Sequence, residues 1–190
     1  MDTNEILTLF EQSEAMLTGH FILTSGRHSD RYMQCAKLLQ YPDAAEKVCW
    51  ELAEKFKDME IETVIGPALG GILVSYEVAR ALKARSIFAE RENGVMSLRR
   101  GFALKPGEKV LVVEDVVTTG GSVKEVIDLV SSYGAVAVAV GALVDRSGGK
   151  VDFKVPARFL LELEIKSYLP EECPLCKQGI PAVKPGSRKI

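Results

Sequence analysis

Apolar residues recur at helical spacing over four stretches of this chain, and run almost unbroken over two others. That contrast predicts most of the architecture. Ile6, Leu7, Leu9, Phe10, Met16 and Leu17 give an amphipathic helix over 3–17, closed by Gly19. A short hairpin rich in hydrogen-bond donors follows, from Gly19 to Gln34 around a Ser25-Gly26 turn. Ala44, Ala45, Val48, Cys49, Leu52, Ala53 and Phe56 mark a core-facing helix over 42–57, and a further helix covers about 72–83. Residues 62–66 and 85–90 are short strand patterns; Val110 to Val113 and Ala135 to Val144 are continuous apolar runs, as in strands buried on both faces. Val123, Val126, Ile127 and Val130 return to helical spacing. Residues 158–165 give a last strand, before a tail bearing Cys and Pro without periodicity.

Strand and helix alternate over 62–144, which implies an α/β fold with a doubly wound parallel sheet and a site at the C-terminal edge of its strands. The expected organisation is one domain over 1–190, with a core of about 41–157 and a small hood from about 1–40 and 158–190.

One junction concentrates the candidate chemistry. After Val110-Leu-Val-Val113 come Glu114 and Asp115, then Val116, Val117, Thr118, Thr119, Gly120, Gly121 and Ser122, and then the helix. Glycines allow a tight turn whose amides converge on one point, and the helix start adds open N–H groups and a positive dipole end. Thr and Ser hydroxyls can donate to the same phosphate oxygens, and the carboxylates can accept from sugar hydroxyls. A phosphorylated sugar fits this pattern. The alternative is an ordinary helix cap and turn, against which stands the acidic pair on a buried strand, since carboxylates there need a reason. No Gly-x-x-x-x-Gly-Lys-Ser/Thr pattern is present. A second Gly-rich turn, Gly66 to Gly71, also leads from strand to helix, as a phosphate contact or a plain structural turn.

The chain has 190 residues, 47% of them hydrophobic, and a formal net charge of −2, which disfavours a nucleic-acid surface. No apolar run approaches membrane-span length and no signal pattern opens the chain, so a cytoplasmic protein is expected. Cys173-Pro-Leu-Cys176 has the spacing of half a zinc site, but the only histidines, His20 and His28, are far away in sequence. A reduced surface pair is expected there, and no metal ligands are assigned.

The stretch 110–123 closely resembles the phosphoribosyl pyrophosphate (PRPP) motif of type I phosphoribosyltransferases. That resemblance implies their fold, with Glu114 and Asp115 on the ribose hydroxyls, Thr118 to Ser122 on the 5′-phosphate, and Ala68, Leu69, Gly70 and Gly71 on the diphosphate. Val116 and Val117 belong to the same PRPP-binding segment. Phe21, Leu23, Ser25, Gly26, Ser29 and Tyr32 resemble the segment with which orotate phosphoribosyltransferases cover the base. Some members carry a Lys where Thr24 stands, so that contact is expected to be absent or supplied by Arg27 or His28; several also carry a Lys where Gly70 stands, leaving backbone amides there. Arg146, at the end of the 135–144 strand, is similar to the family's base-contacting Arg, and Thr118, Ser25 and Gly26 complete the implied orotate contacts. An Arg there suits bidentate recognition of a carboxylate; an ion pair with Asp145 is the alternative. Arg91, Arg99 and Arg100 bracket a Gly-containing connection, either a solvated hairpin or the family's flap, which closes over pyrophosphate. With Asp115, these arginines are the implied catalytic residues.

The resemblance further implies Mg2+, PRPP and orotate as substrates, and a homodimer sharing the flap. Two rivals differ from this expectation: a purine-base phosphoribosyltransferase, and a non-catalytic PRPP-binding regulator of the same fold.

Overall fold

Six strands form the larger sheet of this computed structural model, which describes residues 1–23, 25–163 and 165–185. They are β3 (Thr63–Pro67), β4 (Arg85–Glu92), β5 (Val95–Ser97), β6 (Lys109–Val117), β7 (Val136–Asp145) and β8 (Ala157–Glu162), in the order β5-β4-β3-β6-β7-β8. All neighbours are parallel except β5, which returns antiparallel beside β4. The chain enters at β3, passes outward to β4, then crosses back to place β6 on the other side of β3. Strand order therefore reverses between β3 and β6. Open α/β sheets bind ligands at that reversal, beyond the C-terminal ends of the strands.

Three helices cover the sheet: α3 (Pro42–Glu54), α4 (Gly70–Leu82) and α5 (Gly121–Ser132). Val123, Val126 and Val130 of α5 join Ile65, Val110, Val112 and Val140 in one buried cluster. Residues 111 and 113, alternating with these, face the other way; Gly141 on that face is so close to Phe56 and Val113 that an ideal Cβ would meet them at 3.0 and 3.6 Å. Burial on both faces is why β6 and β7 read as unbroken apolar runs.

The chain divides into two compact units. The larger contains Met1 and Leu39–Leu163, and thus the whole six-stranded sheet; the smaller contains Asp2–Leu38 and Glu164–Ile190. Residues from 158 onward were expected in the hood, yet β8 pairs with β7 and lies within the larger unit. The smaller unit is built from α1 (Thr3–Gln12), β1 (Met16–Ile22), β2 (His28–Met33), β9 (Ser167–Tyr168) and α6 (Pro174–Lys177), while α2 (Ala36–Leu39) spans the boundary. Its three-stranded sheet has the order β1-β2-β9.

Two local expectations fail here for identifiable reasons. The first helix ends at Gln12 rather than near Leu17, because Glu14 takes a left-handed conformation (φ 54°) and the Ala15 amide bonds back to Phe10. Gly19 is not a helix stop. It lies inside β1, in a bulge between Thr18 and Phe21.

Candidate functional site

β6 runs to Val117, so Glu114 and Asp115 lie within the last turns of the strand rather than beyond it. Both are half-buried. The Asp115 amide donates to Glu114 Oε1 at 3.1 Å, and the Val116 amide donates to Asp115 Oδ1 at 2.9 Å. Burial, then the neighbouring Asp115 charge and its hydrogen bond, push the Glu114 carboxyl up to about 9.

The turn that follows differs from a side-chain-capped helix start. The N-cap of α5 is Gly120 (φ 73°), and no side chain caps the helix. The hydroxyls of Thr118, Thr119 and Ser122 are thus not spent as caps, and Thr118 and Thr119 are exposed. Glu114 and residues 116–123 line a concave pocket at this point. Its walls are amide groups, hydroxyls and a helix start, the chemistry of an anion cradle.

The second Gly-rich turn arrives at the same place. β3 ends at Pro67, α4 begins at Gly70 without a side-chain cap, and the peptide bond between Ala68 and Leu69 is cis. Gly70 packs directly against Asp115: an ideal Cβ would lie 2.5 Å from its Cγ. A side chain at this position would require the Asp115 carboxylate to shift. Ala68 to Gly71 and Glu114 to Ser122 thus meet at the reversal in strand order.

β7 ends level with β6, Val117 pairing with Asp145, and the Arg146 amide donates to Val117 O at 2.8 Å. Half-buried Arg146 therefore starts beside the phosphate-cradle segment. Asp145 is fully buried and accepts from the amides of Ser147 (2.8 Å) and Gly149 (3.0 Å), which shapes the turn that carries Arg146.

The expected flap is an ordered hairpin. Asn93 (φ 52°) and Gly94 (φ 83°) join β4 to β5, and Arg91 pairs with Met96. Positive φ at both turn residues is the geometry a two-residue hairpin favours. Arg91 bonds Glu125 of α5 at 2.5 Å. Arg100 bonds Glu90 at 2.8 Å and lies over the Phe88 ring; Arg99 reaches Glu90 at 3.4 Å and Glu92 at 3.5 Å. All three arginines thus pair with acids of the hairpin or α5. These partners were not legible in a charged loop read on its own.

Ser25 and Gly26 lie in the turn between β1 and β2, in the smaller unit. Thr24 itself is outside the described residues. Arg27 and His28, the candidates to supply the contact a Lys would make there, are engaged elsewhere: Arg27 bonds the Ser167 hydroxyl and carbonyl at 2.9 and 2.6 Å, and His28 faces His20. The two histidines and the cysteine pair, far apart in sequence, come together in the fold. His20, His28, Cys173 and Cys176 converge within 4.8 Å.

A parallel sheet with an anion cradle and a carboxylate pair at its strand reversal defines a protein that binds a phosphorylated sugar or nucleotide. Residues 37–173 match the phosphoribosyl transferase domain family. An orotate phosphoribosyltransferase of Thermotoga maritima is 64% identical over 185 residues, covering 97% of this chain and 99% of that one. Another, from Caldicellulosiruptor bescii, is 60% identical over 189 residues and covers 100% of both. The crystal structure of orotate phosphoribosyltransferase from Aeropyrum pernix superposes with a TM-score of 0.70 at 25% identity, over 84% of this chain and 94% of that one. The chain belongs to the orotate phosphoribosyltransferases.

Proposed function

We propose that this chain transfers the phosphoribosyl group of PRPP to orotate, forming orotidine 5′-monophosphate and pyrophosphate in pyrimidine biosynthesis. The observation that carries the reading is the meeting of two uncapped Gly-rich helix starts with Asp115 at the strand reversal. A substrate with a phosphate at one end of a ribose and a diphosphate at the other matches two anion cradles flanking a carboxylate pair.

A bond forms between the orotate ring nitrogen and ribose C1 as the N–H proton passes to water and the C1–O bond breaks, and pyrophosphate leaves with the bonding electrons. Positive charge grows on the ribose and negative charge on the departing diphosphate. Asp115 and Glu114 orient the ribose hydroxyls, and their oxygens face the side on which positive charge grows. Residues 118–122 hold the 5′-phosphate, and the amides of 68–71 stabilise the leaving group. Arg146 and Thr118 take the orotate side, with Arg146 on the carboxylate. Arg91, Arg99 and Arg100 reach the diphosphate only by exchanging their acidic partners.

The donor set fits Mg2+ bound mainly by substrate oxygens and water, since that ion takes few protein carboxylates; Asp115 would hold it, directly or through water. Mg2+ supplies neutralisation of the diphosphate charge. Among the described residues no helix is long and apolar enough to cross a membrane, and the enzyme is proposed to work in the cytoplasm. A homodimer sharing the flap is part of the same proposal, supported by exposed apolar residues on α4, Leu73 and Tyr76.

The test follows orotate by ultraviolet absorbance with PRPP and Mg2+, beside uracil, xanthine and adenine. Loss of orotate alone is expected, with Asp115→Asn slower by about 10²–10³. Turnover of adenine or xanthine instead would make this a purine-base enzyme, and PRPP binding without turnover of any base would make it a regulator.

A further inference from the structure

We infer that the smaller unit carries a structural zinc site formed by His20, His28, Cys173 and Cys176. Sequence separates the two pairs by about 150 residues, and the fold closes that distance.

Each ligand is placed by a specific local device. In the hairpin, Ile22 pairs with His28 and Phe21 with Ser29, while the bulge after Thr18 leaves His20 without a ladder partner and turned towards His28. The two rings meet edge to face, with His20 Nε2 and His28 Nδ1 2.8 Å apart. On the other segment Cys173 is the N-cap of α6, Pro174 follows, and Cys176 comes round one turn later. Two thiols at C-x-x-C spacing on a helix start thereby face the same point, the half-site arrangement of structural zinc. Val183 ties the segments together, its amide donating to His20 O and its carbonyl accepting from Ile22.

Four of the six donor–donor distances approach the edges of a coordination tetrahedron, and the other two lie within 4.8 Å. Ordinary Zn–S and Zn–N bonds imply edges of about 3.6 Å between N and S and about 3.4 Å between two nitrogens. Cys173 Sγ lies 3.5 Å from His20 Nε2; Cys176 Sγ lies 3.7 Å from His20 Nε2 and 3.2 Å from His28 Nδ1. The imidazole nitrogens need to part by about half an ångström to admit the ion. His20 is prepared for this role. Its Nδ1 lies 2.7 Å from Ile180 O, and a carbonyl only accepts, so Nδ1 carries the proton and Nε2 presents its lone pair to the cluster.

Two thiolates and two imidazoles select zinc over Mg2+, which prefers oxygen. Four protein ligands leave no open position, so the site is structural and separate from the phosphoribosyl chemistry. His20, His28 and Cys173 are buried and Cys176 is partly exposed. The unit is small, built on three short strands and three short helices that include the boundary-spanning α2, and units of this size commonly need a metal or disulfide to hold. Zinc here would bind the hairpin to the C-terminal segment.

The test uses full-length, tag-free protein kept reduced. Elemental analysis should find about one zinc per chain, held with a Kd of tens of nanomolar or tighter. Co2+ substitution should give the visible bands of a tetrahedral thiolate site. A strong zinc chelator should lower the thermal midpoint, and Zn2+ but not Mg2+ should restore it. Cys173→Ser and Cys176→Ser should each lose the metal. Because these variants risk misfolding, the Co2+ spectrum of the unaltered protein stands as the independent measurement. Protein that holds no zinc as purified, takes none up from one added equivalent and shows no thiolate-to-Co2+ band overturns the proposal. So does zinc retained in the doubly substituted variant.

Discussion

Glu114 and Asp115 occupy one strand end as neighbours, and their proximity sets a pH dependence that can be measured. Glu114 is raised from an ordinary 4.5 to about 9, so the folded chain holds a proton that the unfolded chain releases. Its contribution to stability is fully present below about pH 4.5, declines as pH rises, and is lost by about pH 9, at up to about 1.4 kcal/mol per pH unit. Glu114→Gln keeps the neutral form's shape and should flatten that decline, read from urea unfolding at successive pH values. A variant curve as steep as the original would show that Glu114 is not its source. At the base side, Arg146→Lys keeps the charge but loses the planar fork. The KM for orotate should rise by about tenfold or more while that for PRPP holds, as expected when a charged hydrogen bond is lost. Equal loss for both substrates would move Arg146 out of the base site.

At the scale of elements, two glycines with the same backbone conformation carry different burdens. Gly120 (φ 73°) starts α5, and an ideal Cβ there would lie 2.5 Å from Val151 Cγ1; Gly94 (φ 83°) turns the β4-β5 hairpin in open space. Gly120→Ala should therefore cost about 2–4 kcal/mol, left-handed strain plus overlap, against about 1–2 kcal/mol for Gly94→Ala. Chemical denaturation of the two variants checks the ordering. Periodicity revealed β3, β4, β6, β7, α3, α4 and α5, because each obeys a rule written in neighbouring residues. It missed the end of α1 because Glu14, not a glycine, takes the left-handed position. It also missed α6, since four residues are too few to show a period.

For the molecule as a whole, the open question of partners lies on α4. Leu73 and Tyr76, 48% and 60% exposed, are three residues apart on α4 and so share one helix face. If that face is the proposed dimer interface, Leu73→Glu should convert the protein to a monomer in light scattering, because a buried unpaired carboxylate is costly. An unchanged mass would place any dimer contact elsewhere.

The amino-acid sequence alone determined the parallel sheet and the glycine- and hydroxyl-rich turn after β6, with its acidic pair. Both arise from contiguous residues, whose burial pattern and backbone freedom are local properties. Tertiary structure decided the rest. It put Gly70 against Asp115, tied Arg99 and Arg100 to Glu90, and carried Cys173 to His20 across 153 positions. Such contacts depend on how distant segments close on one another, and no window along the chain contains both partners.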